Sequence, residues 1–193
     1  LVKVLSDQAQ KLAISSRAFY TEPFAEYIEK LSKISNFESV LPMNTGAEAV
    51  ETAIKAARRW GYFTKGIKKN CAEIIVAEGN FHGRTTTIVG FSSEKEYKKG
   101  FGPFAEGFIE AEYCSSNCNC SKVCENSIRS IKNAINKNTC AVIVEPIQGE
   151  GGIITPQSGW LKQLRELCNE SNVLLILDEI QSGLGRTGKL FAF

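Results

Sequence analysis

The strongest chemical signal in the chain is a pair of acids at the end of an apolar run. Val173 to Leu177 is unbroken apolar sequence, and Asp178 and Glu179 follow it directly. A run this short predicts a strand buried on both faces, at the centre of a parallel sheet. Its acids then stand at the strand's carboxyl end, where open α/β sheets bind ligands, which makes Asp178 the first candidate. A second feature is the turn Asn44-Thr45-Gly46, which leads from Phe37 to Met43, read as a short strand, into Ala47 to Thr64, read as a helix. Such a turn leaves backbone N–H groups at the positive end of a helix dipole, and it reads equally as an anion site or as a plain connection. The third is the loop Glu78 to Thr85, which sets the chain's single histidine, His82, between Phe81 and the pair Gly83-Arg84. Taken alone, His82 reads as a hydrogen-bonded structural residue and Arg84 as a surface charge.

The elements that must position these loops alternate in type. Apolar residues at helical spacing predict helices over residues 1–12, 22–35, 127–136 and 160–169, and short apolar runs predict strands over 74–77, 107–113 and 140–144. The last of these strands ends at Glu145-Pro146, before the loop QGEGG. Strands alternating with helices imply an α/β fold with a mainly parallel sheet flanked by helices. On that frame the three candidate loops all lie at carboxyl ends of strands.

Composition narrows the class. The chain has 193 residues, 43% of them hydrophobic and 23% charged, with a formal net charge of +2. No basic block accompanies that charge, so nucleic acid is not implied. No apolar run approaches the roughly 20 residues that cross a bilayer, and no signal-peptide layout opens the chain. A cytoplasmic or mitochondrial-matrix setting without membrane contact is the expectation. Both ends read as cut, so a partial chain is expected. Four of the seven cysteines, Cys114, Cys118, Cys120 and Cys124, fall in a polar insertion. Their spacing lacks paired zinc knuckles, so no metal is assigned. In a reducing compartment no lasting disulfide is expected there. A rival motif, GLGRTGK at 183–189, spells a phosphate-binding loop, but Leu190 stands where a magnesium-binding hydroxyl is needed and no helix pattern follows.

Three services remain to be explained together: a phosphate held near Thr45-Gly46-Ala47, a flat ring stacked on Phe81, and a ring nitrogen paired with Asp178. Pyridoxal phosphate requires all three, because the protein's task is to position that cofactor and tune its electronics.

The stretches LPMNTGAEAVETAIKAARRWGY, GNFHGRT, GFGPF, VEPIQGEGG and LDEIQSGLGRTG resemble the subgroup III aminotransferases of the fold-type I pyridoxal phosphate enzymes. SRAFY at 16–20 and MNTG at 43–46 favour the ornithine-directed branch over its acetylornithine and 4-aminobutyrate relatives. The resemblance implies a helical lead-in over 1–36 and a cofactor-binding large domain over 37–193, truncated before the Schiff-base lysine. It implies that Gly46 and Ala47 hold the phosphate, Phe81 stacks on the ring, Asp178 pairs with the ring nitrogen and Gln181 approaches the ring hydroxyl. Arg84 is implied to hold the α-carboxylate of L-ornithine, with Glu145 lining the site and Glu150 masking a second arginine until 2-oxoglutarate arrives. A homodimer working in ornithine and arginine breakdown and proline supply is implied as well. His82 departs from the ornithine type, which often carries a larger aromatic there. An acetylornithine or other ω-amino acid aminotransferase therefore stays open, as does a non-catalytic relative. With its lysine expected beyond Phe193, the chain alone is expected not to transaminate.

Overall fold

Side chains alternate across a strand, and this alternation decides which layer each part of the sheet supports. The computed structural model describes residues 1–16, 18–114 and 125–193. It divides into two units, Leu1–Pro42 and Met43–Phe193. The first holds α1 (Val2–Lys11) and α2 (Glu22–Ser35), neither with a buried residue. Pro23 sits in the first turn of α2, where its missing N–H is tolerated. Residues 37–43 form no strand: Phe37 and Leu41 are exposed and Pro42 offers no N–H to a ladder. The strand expected over 37–43 is therefore not formed.

The second unit is built on four parallel strands, β1 (Glu73–Ala77), β2 (Phe108–Ala111), β3 (Thr139–Val144) and β4 (Leu174–Leu177), in the order β2-β1-β3-β4. β3 is buried along its whole length. Ile74, Val76, Ala141 and Ile143 pack with Val50, Ile54 and Ala57 of α3 (Gly46–Trp60). Ile75, Ala77, Val142 and Val144 pack in the other layer with Ile131 of α6 (Glu125–Ala134) and with Trp160 and Leu164 of α7 (Trp160–Glu170). Each fully buried Val, Leu or Ile among these contributes about 1.5–3 kcal/mol. Trp160 also satisfies its one polar atom, donating from Nε1 to Ser127 Oγ at 3.2 Å.

The strand that leads into Asp178 is less buried than its apolar sequence predicts. β4 pairs only with β3 among the described residues, and its residues are half-buried. Apolar content reports burial of side chains, whereas the number of neighbouring strands is set by topology. Two short helices, α4 (Thr86–Gly90) and α5 (Lys95–Lys98), follow the histidine loop and were not legible as periodic segments. At its far end α3 widens into a π-turn over Gly61–Lys65. Residues 183–189 form turns and bends. Cys114 is buried and disulfide-bonded, contrary to the expectation of free thiols. Its sulfur lies in the core at the end of β2, where it accepts a hydrogen bond from the Gln157 N–H. Cys118, Cys120 and Cys124 lie outside the described residues, as does Arg17 of the SRAFY stretch.

Candidate active site

Because the strands are parallel, the loops after β1, β3 and β4 leave the same edge of the sheet. Together with the start of α3 they enclose a cleft of about 250 Å³, whose wall includes Gly46, Ala47, Phe81, His82, Glu145, Asp178 and Gln181. Five of the expected cofactor residues and Glu145 are thus brought together. Ile147, Ile180 and Gly83 complete the lining.

Asp178 is held from three sides. Its backbone N–H donates to Val144 O, which continues the β3–β4 pairing for one more residue. Its Oδ1 accepts from the Ile180 N–H at 3.0 Å, and its Oδ2 accepts from His82 Nδ1 at 2.7 Å. The His82 side chain is fully buried and that of Asp178 is 5% exposed. The carboxylate accepts the bond, so the imidazole proton sits on Nδ1. The other nitrogen, Nε2, is buried with no hydrogen-bond partner among the described residues. His82 is the cleft-lining residue that sequence reasoning set aside. Its partner lies 96 positions away, beyond any local pattern, and the available signal was a lone histidine in a glycine-flanked loop at a strand's end.

The start of α3 is a reciprocal cap. Thr45 Oγ1 accepts from the Glu48 N–H, and the Glu48 carboxylate accepts from the Asn44 N–H. Those bonds leave the Gly46 and Ala47 N–H groups without an acceptor among the described residues, at the positive end of a 15-residue helix. A Cβ on Gly46 would stand 2.9 Å from Ile180 Cγ2, so a larger residue there displaces the Ile180 side chain. Gly83, at φ +129°, lets the histidine loop lie against Ala47 and Ile88.

Glu145 ties two loops together. Its carboxylate accepts from the Phe81 N–H at 3.0 Å and from the Gly149 N–H at 3.2 Å. Burial pushes its pKa above the ordinary glutamate value of 4.5, against those two bonds, which pull it down. Asn80 fixes the same loop from below, donating to Ala77 O and Phe91 O. Gln148, 1% exposed, donates to Glu78 O at 2.6 Å. Gln181 lies so close to Gly149 that a Cβ there would be 2.1 Å from its Oε1. Glu179 faces away from this task. It accepts from Ser182 Oγ and from the Ala192 and Phe193 N–H groups, closing the loop behind it.

Two expected substrate residues are not in the cleft wall. Arg84 is exposed and lines a neighbouring cavity of about 420 Å³ with Tyr97 and Phe101. Glu150 is exposed in a third cavity of about 270 Å³, which shares Phe81 and Tyr97.

The cleft fits the cofactor expected from the sequence. A carboxylate offers about four lone-pair sites, and Asp178 uses two, so a ring N–H can still be accepted. Unengaged helix N–H groups suit an anion, and Phe81 adds an aromatic ring to the cleft wall. No lysine is among the residues lining the cleft.

Comparison with known proteins points the same way. The class-III aminotransferase family profile matches residues 1–193. The ornithine aminotransferase of Brevibacillus brevis is 54% identical over 192 residues, which cover 100% of this chain and 45% of that protein. Ornithine aminotransferase 2 of Staphylococcus aureus strain MRSA252 is also 54% identical, over 46% of its length. The chain therefore spans about half the length of the curated relatives it matches. Among solved structures, an ornithine aminotransferase from Toxoplasma gondii, with partial occupancy of PLP at its active site, superposes with a TM-score of 0.90 at 39% identity. That match covers 99% of this chain and 42% of the other. An acetylornithine aminotransferase from Elizabethkingia anophelis gives a TM-score of 0.76 at 49% identity, over 99% of this chain and 44% of the other.

Proposed function

The chain belongs to the class-III aminotransferase family, and from that premise we propose that the full-length protein is an ornithine aminotransferase. It moves the δ-amino group of L-ornithine to 2-oxoglutarate, giving glutamate 5-semialdehyde and glutamate. The observation that carries this reading is the buried Asp178–His82 pair opening onto a cleft whose wall includes the start of α3. The ornithine aminotransferases at 54% identity favour the donor.

Pyridoxal 5'-phosphate supplies an aldehyde that takes up an amine and a ring that accepts electrons when a neighbouring C–H bond breaks. The chain's residues provide the setting. The Gly46 and Ala47 N–H groups bind the phosphate, and Phe81 lies against the ring. Asp178 keeps a proton on the ring nitrogen, which makes the ring a better electron acceptor. His82, by donating to Oδ2, fixes the carboxylate's orientation so that a free lone pair faces the cleft. Gln181 approaches the ring hydroxyl, Glu145 fixes Phe81 through its backbone, and Arg84 receives the substrate's α-carboxylate. Glu150 waits as the mask for a second arginine. Residues 37–193 serve as the cofactor-binding large domain, with 1–36 as a helical lead-in. The enzyme acts as a cytoplasmic homodimer in ornithine and arginine breakdown and proline supply, with the covalent lysine contributed from outside this chain.

The similarity to an acetylornithine aminotransferase supports a second reading, in which the donor is N-acetylornithine. Assay of the full-length protein with each donor and 2-oxoglutarate separates them. A higher kcat/KM for L-ornithine is expected; preference for N-acetylornithine would replace the first reading with the second. The 193 residues alone should give no turnover.

A further inference from the structure

Arg84 is held in an unusual way for an exposed arginine. Its guanidinium carbon stands 5.1 Å from the Tyr97 ring centroid and 5.6 Å from that of Phe81. The two rings meet edge to face, with centroids 6.0 Å apart. No hydrogen bond or ion pair engages Arg84 among the described residues. The one acid lining its cavity, Glu96, pairs instead with Lys99 at 3.6 Å. A guanidinium presents five N–H donors in its plane and takes aromatic rings on its faces. Arg84 therefore has aromatic partners while its donors stay uncommitted, the state suited to gripping a carboxylate bidentately.

We infer that Tyr97 is a positioning residue for substrate specificity, caging Arg84 against Phe81 so that the carboxylate clamp and the cofactor-facing ring move as one unit. The inference rests on the proposed role of Arg84 as the α-carboxylate receptor. An uncaged arginine samples many rotamers, and binding must then freeze them; the cage removes that cost in advance. Tyr97 comes from α5, the four-residue helix Lys95–Lys98, so a short element without a core residue acquires a purpose. Its hydroxyl takes part in no hydrogen bond among the described residues, so the ring alone performs the task. Because the clamp grips the carboxylate throughout the reaction, its loss should raise KM and spare kcat.

The test uses the full-length enzyme loaded with pyridoxal 5'-phosphate, and four variants: Tyr97→Leu, Tyr97→Phe, Arg84→Ala, and Arg84→Ala with Tyr97→Leu. Tyr97→Leu should raise KM for L-ornithine roughly two- to fivefold, the span of a cation–π contact at an exposed site. Its kcat should stay within about twofold and its cofactor affinity should be unchanged. Tyr97→Phe should behave as wild type. Added to Arg84→Ala, Tyr97→Leu should cost nothing further, because residues acting through one contact are not additive. A normal KM in Tyr97→Leu beside a raised KM in Arg84→Ala overturns the cage alone. A normal KM in Arg84→Ala overturns the carboxylate role on which it rests. Failure of phenylalanine to rescue, a loss that persists in the double variant, or weakened cofactor binding reduces Tyr97 to packing and also overturns the inference.

Discussion

Replacing Asp178 by two different residues separates its chemistry from its structural work. Asparagine keeps the volume, and its carbonyl can still accept either the Ile180 N–H or the His82 Nδ1 proton. What it loses is the negative charge beside the bound ring. Removing one preorganised electrostatic partner of a reacting group costs about 10²–10³ in kcat, so Asp178→Asn should fall by that factor. Alanine loses the charge and also strands two donors, the Ile180 N–H at 3.0 Å and His82 Nδ1 at 2.7 Å. The histidine is fully buried, and each donor left unsatisfied costs about 1–3 kcal/mol. Water entering the open cleft relieves the Ile180 N–H, which leaves about 2 kcal/mol of destabilisation assigned mainly to His82. The assay is turnover of the full-length enzyme beside urea unfolding of its cofactor-free form. The expected pattern is equal loss of kcat in both variants, with a lowered urea midpoint at unchanged slope in Asp178→Ala only. If Asp178→Asn retained more than about a tenth of wild-type kcat, the charge would have no part in activating the ring. If it unfolded as early as the alanine variant, the carboxylate would be a structural bond and nothing more.

Two further outcomes are expected. Burial raises the Glu145 pKa above 4.5, so its stabilising contribution is complete below that value and is lost as pH rises through the raised folded-state value. Glu145→Gln should flatten this part of the stability–pH curve measured by urea unfolding, and parallel curves would refute it. Gly149→Ala sets a methyl 2.1 Å from the present position of Gln181 Oε1. The flexible side chain should swing out at a stability cost near the low end of about 1–3 kcal/mol, while cofactor affinity, read by spectroscopic titration, falls as it does in Gln181→Ala. A loss in Gly149→Ala but none in Gln181→Ala would remove Gln181 from the site.

The frame was readable because its rules are local. β1 and β3 are short apolar runs, α3 carries a cap at Thr45 and an apolar stripe through Val50, Ile54 and Ala57, and the false phosphate loop betrayed itself at Leu190. Failures came where a decision is made at a distance. The apolar residues of β4 cannot state how many strands flank them, and Phe37 to Met43 has strand-like composition but no ladder. His82 is defined by an aspartate from another strand's end. The resemblance supplied Arg84 and Glu150 as site residues, yet their exposure and their separate cavities follow from how Phe81 and Tyr97 divide the surface. Cys114 shows the same limit, since its disulfide depends on geometry that spacing does not encode.

The bond between His82 and Asp178 joins the loops after β1 and β4, which are not neighbours, since β3 runs between them. Parts of a sheet open locally at free energies below that of global unfolding, and their amides then exchange with solvent. Here, separating β4 from β3 withdraws the aspartate from a buried imidazole, so local opening at β4 and loss of the Asp178–His82 bond become one event. Solvent exchange at Leu174–Leu177 is thereby a direct gauge of how often the site comes apart, and a cofactor held between these loops should slow it.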